Sequence, residues 1–452
     1  MYNFYDLVLA EKENLINDLM EILKYDTVLN QDYNPLDQYP FGKNLYDVLE
    51  FVEKIAKRDG LTFENIYNHA CEIAIGEGEE ILGVLGHLDV VPATGKWDSD
   101  PFSPEIRDNK IYARGVLDDK GACIMCYYAL KILNKLGLKF KRQVKLILGV
   151  DEETGSRCIR KYLEVKPQPT IAFSPDADFP LIYGEKGIFS FKVSGKEESE
   201  IVYIKAGTRS NLVPDEVEFK LENNYDELFN KYLTENNLKG EVLENNVYKL
   251  YGKSSHAMAP FEGINSIYLC FKFLEYVGIN SKLVEYVNKY FVDDVYGKKI
   301  NSDSYCPDMK VLTLNFAIIK LENNEFSFIC NVRYPKVGDS DNLINNLKTI
   351  SDSYSYVVTK LGDSVPHIVD KNSELVTKLL DSYKKYETCD TDPQPFTIGG
   401  GTYARMFKNA VAFGPQFKNR IDCVHKENEH MDIDDIIKAC VIYLEGIYNL
   451  CV

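Results

Sequence analysis

A histidine and an aspartate follow one apolar run in the sequence GHLDVVP, residues 86–92. Residues i and i+2 of a strand point to the same side, so we expect His87 and Asp89 to share one face near the end of the strand. A carboxylate that accepts the second imidazole N–H orients a metal-ligating histidine in this way. A hydrogen-bonded structural pair fits the same spacing, so the other ligand-type residues must decide.

Further ligand-type residues follow two other apolar runs or lie in segments outside the runs. Glu152 and Glu153 follow VKLILGV, Asp176 follows TIAFSP, Asp118 lies in ARGVLDDKGA, and His425 lies in DCVHKENEH. Either aspartate of the pair Asp118–Asp119 could instead cap the helix that follows. Imidazole and carboxylate ligands without a thiolate suit zinc, manganese or cobalt.

The elements that must position these residues are predicted from hydrophobic patterning. The runs ILGVLGHLD, VKLILGVDEETG and TIAFSPDAD show no alternation, which is typical of parallel strands covered on both faces. Between the first two lies ACIMCYYALKILNKLG, which predicts a helix that stops at Gly137. Ligand sites of parallel sheets collect outside the carboxyl ends of the strands, where the acidic and imidazole residues would emerge.

The pattern changes from about residue 185. Segments 216–222 and 325–331 alternate, which indicates an antiparallel sheet, and PFEGINSIYLCFKFLEYV indicates a helix beside it. Near residue 380 the mixed pattern resumes and ends in DIDDIIKACVIYLEGIYNL. The predicted fold is therefore an α/β catalytic domain, with a mixed, largely parallel sheet and helices on both faces, interrupted by an α+β lid domain. The predicted ranges are 1–184 and 381–452 for the catalytic domain and 185–380 for the insertion.

Composition excludes several classes of function. The chain has 452 residues, 45% hydrophobic and 27% charged, as in soluble globular proteins of two domains. Its net charge of −17 disfavours nucleic-acid binding. We expect no signal peptide and no membrane insertion, since basic N-terminal residues and apolar runs of bilayer length are missing. The 11 scattered cysteines suggest buried thiols in a reducing cytoplasm.

Charge balance indicates two metal ions rather than one. If Asp118, Glu153 and Asp176 are ionised ligands, three carboxylates and a hydroxide balance two divalent cations, whereas one cation would leave the cluster anionic. A bridging carboxylate can hold two metals about 3.5–4 Å apart, a separation used to activate water. We therefore expect a dinuclear hydrolase, with zinc favoured over manganese or cobalt.

Ten motifs resemble, in order, those of the aminoacylase/carnosinase-type dinuclear metallopeptidases, and within that family the PepV-type bacterial dipeptidases. They run from residue 86 to residue 429 and are GHLDVVP, WDSDPFSP, YARGVLDDKG, DEETGS, SPDADFP, NLVPDE, SSHAMAP, NVRYP, IGGGTYAR and HKENE. The resemblance implies a catalytic domain with a lid, which agrees with the division predicted above.

The resemblance also implies which residues hold the metals. His87, Asp118 and Asp176 would hold one ion, and Glu153, His425 and the shared Asp118 would hold the other.

The same resemblance assigns Glu152 as the general base, Asp89 as the partner of His87, and a cis peptide bond between Asp118 and Asp119. A water between the cations would then lose its proton to Glu152 as it attacks the peptide carbonyl.

Three residues of the insertion, and Gly400 after it, are the candidate substrate contacts, and two of them, His256 and Asn211, match family residues beside the oxyanion. His256 and Asn211 would stabilise the tetrahedral oxyanion, and Arg333, with main-chain N–H groups near Gly400, would bind the C-terminal carboxylate. Without the resemblance, His256 would be a loop histidine and Arg333 a member of a surface ion pair. In PepV-type enzymes the lid extension imitates the lid of a second subunit, which implies a monomer.

Three functions are compared. A dipeptidase would cleave short peptides with a free amino terminus and carboxylate, whereas an N-acyl amino acid deacylase would use the same metals on a blocked substrate. A catalytically silent metal-dependent binding protein would lack the base or a ligand, and Glu152 and all five ligand positions are present. We therefore expect a dipeptidase.

Overall fold

The computed structural model describes residues 2–452 and contains two compact units. The first unit comprises Met1–Tyr183, Val369–Phe396 and Gly401–Val452, and the second comprises Gly184–Ile368 and Thr397–Gly400. Within the described residues there are eleven α-helices: α1 (Phe4–Ala10), α2 (Lys12–Ile22), α3 (Lys43–Arg58), α4 (Lys120–Lys135), α5 (Arg157–Val165), α6 (Asp226–Asn236), α7 (Ser266–Tyr276), α8 (Lys282–Tyr290), α9 (Ser340–Asp352), α10 (Glu374–Tyr386) and α11 (Ile433–Cys451).

The strands fall into three groups along the chain. The first group is β1 (Thr62–Ile66), β2 (Ala70–Ile75), β3 (Ile81–His87), β4 (Glu105–Arg107), β5 (Lys110–Tyr112), β6 (Gln143–Gly149), β7 (Ile171–Ser174), β8 (Ala177–Asp178) and β9 (Ile182–Glu185). The second is β10 (Gly187–Lys196), β11 (Ile201–Ala206), β12 (Glu216–Leu221), β13 (Lys239–Leu243), β14 (Val247–Tyr251), β15 (Tyr305–Cys306), β16 (Lys310–Val311), β17 (Thr313–Glu322), β18 (Glu325–Tyr334), β19 (Val357–Ser364) and β20 (His367–Ile368). The third is β21 (Phe396–Ile398), β22 (Ala410–Ala412), β23 (Pro415–Gln416) and β24 (His430–Asp432).

The first unit is built on a mixed sheet in the order β1-β2-β6-β3-β7-β22-β9. Its four central strands, from β6 to β22, are parallel, and antiparallel pairs flank them. Nearly every residue of β3 and β6 is buried, which explains why their sequences show apolar runs without alternation. Helix α4 packs on α11 and on β3, as the sequence between the two strands predicts.

The second unit has its own core and its own antiparallel sheet, in the order β13-β14-β12-β11-β17-β18-β10-β19. Successive residues of β10 alternate between buried and half-buried, as expected of a sheet with one face on a core. Helix α7 packs on β12 and β14, α6 on β13, and α9 on β19. The predicted α/β plus α+β fold class is confirmed.

The second domain boundary differs from the predicted one. Residue 380 lies inside α10, and this helix belongs to the first unit, where it packs on α11. The chain returns at Val369, and the Ser373 hydroxyl then accepts the Val376 N–H to start the helix. Among the described residues, no helix combines the length and apolar character needed to cross a membrane.

Candidate metal and active site

Parallel strand register brings the predicted ligands to one edge of the first unit's sheet. His87 is the last residue of β3 and lies opposite Gly149, the last residue of β6. β7 ends at Ser174, two residues before Asp176. The segments that carry the acidic residues therefore leave the sheet at its carboxyl edge, as predicted.

Asp118 lies between the two predicted ligand histidines. Its Oδ1 is 3.0 Å from His87 Nε2, and its Oδ2 is 2.9 Å from His425 Nε2. Asp176 Oδ2 lies 3.7 Å from the same His87 nitrogen, and Glu153 Oε1 lies 3.1 Å from the same His425 nitrogen. The structure thus brings together all five predicted ligands, with one carboxylate facing both imidazoles.

The donor set fits divalent cations. His87 is buried, and its Nδ1 lies 2.9 Å from the Asp89 carbonyl oxygen, which can only accept, so Nδ1 carries a proton. Its Nε2 has no hydrogen-bond partner of acceptable geometry despite the carboxylates around it. One ligand atom each from His87, Asp118 and Glu153 lies within 4.8 Å of the others. A nitrogen and oxygens converging in this way suit a metal such as zinc or manganese.

The electrostatics of the site favour bound cations. Burial lowers the pKa of His425, but the carboxylates of Asp118 and Glu153 outweigh it and raise this pKa to about 10. Burial likewise opposes a charge on His87, yet Asp118 and its other acidic neighbours hold this pKa well above its usual range. Burial raises the pKa of Glu152 to about 8, and the charge of Glu153 adds to this although His87 opposes it. Cations that bind here must displace protons from the histidines.

Asp89 has a different role from the expected one. Strand β3 ends at His87, so the alternation of a strand does not extend to Asp89. The main-chain oxygen of Asp89 accepts from His87, and its carboxylate lies farther away, at 3.5 Å. The carboxylate instead accepts the main-chain N–H groups of Glu152 and Glu153, both at 3.0 Å. Asp89 therefore orients the two glutamates as well as the histidine.

The peptide between Asp118 and Asp119 is cis, as the resemblance implies. The alternative of a helix cap is wrong, because the N-cap residue of α4 is Asp119 and its side chain makes no capping bond. Asp119 is buried, and its Oδ2 accepts the main-chain N–H of His87 at 3.1 Å. Both aspartates thus contact His87, Asp118 at the imidazole and Asp119 at the main chain.

Within the second unit, Asn211 and His256 lie on adjacent segments. The main-chain oxygen of Asn211 accepts from Ala257 at 2.8 Å, and Leu212 forms an isolated bridge with His256. The Met258 N–H donates to His256 Nδ1 at 3.2 Å. In the neutral imidazole the proton is then on Nε2, which makes that nitrogen a donor.

Arg333 is buried on β18, so the alternative of a surface ion pair is wrong. Its Nε donates to Asn331 Oδ1 at 2.8 Å, and its Nη1 donates to the Gly399 carbonyl at 2.9 Å. The guanidinium therefore lies beside the segment that contains Gly400, and the anion site at these residues stays a prediction.

Sequence reasoning missed two buried partners of the Asp118 loop, Glu429 and Arg114. Both are fully buried, and Arg114 Nη1 lies 2.6 Å from Glu429 Oε2. The signal was present, since each belongs to a motif used above, ARGVLDD and HKENE. Only the predicted ligand of each motif was considered.

The family model for peptidase family M20/M25/M40 matches residues 83–449, which include every residue of the first unit's site. The chain belongs to peptidase family M20/M25/M40. The predicted family is confirmed, and the protein is a peptidase.

Two staphylococcal relatives of this M20 peptidase match almost the whole chain. A Staphylococcus haemolyticus protein named "Putative dipeptidase SH1171" is 36% identical over 458 residues, which cover 97% of each chain. A Staphylococcus aureus (strain MW2) protein with the same kind of name is 36% identical over 462 residues, which cover 98% of each chain.

Solved structures share the fold of this M20 peptidase at low sequence identity. Human carnosine dipeptidase 1 and the di-peptidase Dug1p of Saccharomyces cerevisiae each have a TM-score of 0.59 and 14% identity, over 99% of this chain and 98% of theirs. The YXEP protein of Bacillus subtilis, described as a dinuclear metal binding peptidase, has a TM-score of 0.52 and 8% identity, over 98% and 99% of the two chains.

Proposed function

We propose that this M20 peptidase is a dipeptidase that uses two divalent cations. The observation that carries the proposal is the position of Asp118, whose two oxygens lie 3.0 Å and 2.9 Å from His87 and His425. A carboxylate that faces two imidazoles with opposite oxygens suits a bridge between two ions. The names of the staphylococcal relatives support a dipeptide substrate.

His87, Asp176 and Asp118 would hold one ion, and His425, Glu153 and Asp118 the other. When bound, such a pair lowers the pKa of a water between the ions and stabilises developing charge on the substrate oxygen. Zinc is the favoured metal, with manganese or cobalt as alternatives.

Glu152 would transfer the protons. Burial raises its pKa to about 8, so it is suited to accept a proton from water and to return it to the leaving amine. Asp89 fixes the main chain at Glu152 through the 3.0 Å hydrogen bond. The adjacent Glu153 is committed to the ligand cluster, which separates the roles of the two glutamates.

Residues of the second unit would bind the substrate. His256 offers Nε2–H to the oxyanion, with Asn211 beside it, and Arg333 pairs with the C-terminal carboxylate next to Gly400. We further propose, as the resemblance implies, that each chain uses its own second unit as a lid and acts as a cytoplasmic monomer.

Purified protein tests this function through its metal content and its substrates. We expect two divalent ions per chain, chelator-sensitive hydrolysis of unblocked dipeptides, and much slower hydrolysis of N-acetyl or N-succinyl amino acids. Glu152→Gln should retain both ions and lose about 10²–10⁴-fold in kcat. Glu164→Gln, on the exposed surface of α5, is the matched control and should behave as wild type.

Preferred cleavage of the acylated amino acids would assign a deacylase instead. Wild-type turnover in Glu152→Gln would remove the proposed base. Fewer than two ions in the active protein would remove the dinuclear site.

A further inference from the structure

The Glu429 carboxylate is fully buried and accepts hydrogen bonds from one loop of the first unit, residues 114–118. Its Oε1 accepts the main-chain N–H groups of Leu117 at 2.8 Å, Gly115 at 3.1 Å and Asp118 at 3.3 Å. Its Oε2 accepts from Arg114 Nη1 at 2.6 Å and also lies 3.1 Å from Gly115 N. The loop that ends at the proposed bridging ligand is thus wrapped around a single side chain.

Only an ionised carboxylate can satisfy this set of partners. All four groups are donors, and a carboxylate has two oxygens that only accept, whereas an amide must present an NH₂ group to one side. In Glu429→Gln the NH₂ group would face either the Arg114 guanidinium or the main-chain N–H groups of Gly115, Leu117 and Asp118. Either orientation leaves buried donors without acceptors, which is costly in a site closed to water.

Arg114 supplies the charge that allows this carboxylate to be buried. It is itself fully buried, and its guanidinium carbon lies 5.2 Å from the centre of the Trp97 ring. A buried ion pair is tolerated when its members are paired and hydrogen-bonded, and here Arg114 donates through Nη1 to Glu429 and through Nη2 to the Pro92 carbonyl, while its Nε has no partner. The buried ion pair therefore holds the loop that ends at Asp118 in one position.

Glu429 also belongs to the segment that carries the other predicted histidine ligand. It follows His425 by four residues, and its main-chain oxygen accepts the Ala113 N–H at 3.1 Å. One residue thus connects the His425 segment to the loop that presents Asp118.

We propose that Glu429 is a positioning residue that sets the geometry of both metal sites at once. The inference rests on the proposed dinuclear function, because its effect passes through Asp118 as the shared ligand. Loss of Glu429 should weaken the binding of both ions together. Loss of a residue that ligates only one ion should weaken the binding of that ion alone.

Titration of metal-depleted protein with Zn²⁺ against a chromophoric chelator tests the proposal without an activity assay. We expect Glu429→Gln to weaken both Zn²⁺ dissociation constants by about 10–100-fold, the usual effect of losing a group that orients metal ligands. Asp176→Asn should weaken one constant only. Glu427→Gln removes an exposed carboxylate from the same segment and should leave both constants at wild-type values.

Peptide kinetics separate positioning from a purely structural role. At limiting Zn²⁺, Glu429→Gln should lose kcat, which added Zn²⁺ restores, while KM for a dipeptide stays unchanged. If Glu429→Gln had a lower melting temperature but the same Zn²⁺ dissociation constants as wild type, the proposal would be overturned. If Glu429→Gln does not fold, Glu429→Asp keeps the charge beside Arg114 but shortens the reach, and unchanged constants in that variant would equally overturn it.

The titration also separates this inference from the proposed function. If wild type binds two Zn²⁺ ions but cleaves no dipeptide, the dipeptidase assignment fails and the Glu429 result still stands. If wild type binds fewer than two ions, the dinuclear function and the inference fail together.

Discussion

A single buried carboxylate, that of Asp89, controls the turn after β6. Its two oxygens accept the main-chain N–H groups of Glu152 and Glu153, so both acceptors are used for the backbone that carries a proposed base and a proposed ligand. The carbonyl of the same residue orients His87. Small changes at Asp89 should therefore affect proton transfer and metal geometry together.

Asp89→Asn should reduce kcat for a dipeptide by about 10–100-fold with a smaller change in KM. The asparagine NH₂ group would meet one of the two main-chain N–H groups and push the turn away from its position. Steady-state kinetics with saturating metal measure the effect. Asp108→Asn, in the exposed turn between β4 and β5, should leave both parameters unchanged. Wild-type kcat in Asp89→Asn would show that the turn does not depend on these bonds.

At this scale the sequence identifies types of residue better than it identifies partners. His87, Asp118 and the other ligands were found because each follows an apolar run or lies in a family motif. The partner of His87 Nδ1 was predicted to be the Asp89 carboxylate, yet it is the Asp89 carbonyl. The strand ends at His87, so the side chains after it no longer alternate between the two faces of the sheet. Glu429 was missed because only the predicted ligand of its motif was considered, and because all its partners except Arg114 are main-chain N–H groups, which leave no trace in side-chain spacing.

The secondary structure elements around the site were predicted more completely. The three apolar runs became β3, β6 and β7, and the helix that was expected to stop at Gly137 is α4, with that glycine at φ +62° just past its end. The second domain boundary was predicted near residue 380, after the observed one at Val369. The amphipathic pattern of α10 suits either unit, so the sequence did not show to which unit this helix belongs. The packing of α10 on α11 is a tertiary contact, and the hydrophobic pattern of α10 alone does not predict it.

One junction between helices predicts how stability depends on pH. Glu11 lies between α1 and α2, and its carboxylate pairs with Lys131 and Lys135 of α4. Buried Lys131 also lies 3.3 Å from Asp59 Oδ2, which follows α3. Burial would raise the pKa of Glu11, but the hydrogen bonds of Lys135, Asn14 and Lys131 lower it from 4.5 to about 2.

The sign of the effect follows from this lowered pKa. The stabilisation by ionised Glu11 is fully present above pH 4.5 and is lost as the pH falls from 4.5 towards about 2. Glu11→Gln should therefore cost about 0.5–1 kcal/mol at pH 7, a modest value because the pair is partly solvated, and markedly less at pH 2, where about half of the folded chains have lost this charge. Urea unfolding at several pH values measures this difference.

Glu13→Gln is the matched control, since Glu13 is exposed in the first turn of α2. A loss of stability in Glu11→Gln that does not change between pH 7 and pH 2 would contradict the proposed ion pairs.

For the whole molecule, the main question is whether one chain supplies a complete set of catalytic groups. The proposed ligands and base lie in the first unit, and the proposed oxyanion and carboxylate contacts lie in the second. The second unit contains a single eight-stranded sheet with its own core, and one chain provides Asn211, His256 and Arg333 within it. Each chain carries every proposed group once, and we propose that the groups of one chain act together in a monomer.

Mixing two inactive variants tests this sufficiency. Glu152→Gln removes the base in the first unit, and His256→Ala removes the oxyanion donor in the second and should lower kcat by about 10²–10³-fold. If each chain uses its own second unit, an equimolar mixture should be no more active than the two variants measured separately. If a second chain provided His256, a chain with an intact base would meet a chain with an intact histidine, and the mixture would regain activity that rises with protein concentration. Sedimentation of wild type at the assay concentration should show one species of about the chain mass, 51.7 kDa, because no partner is then required.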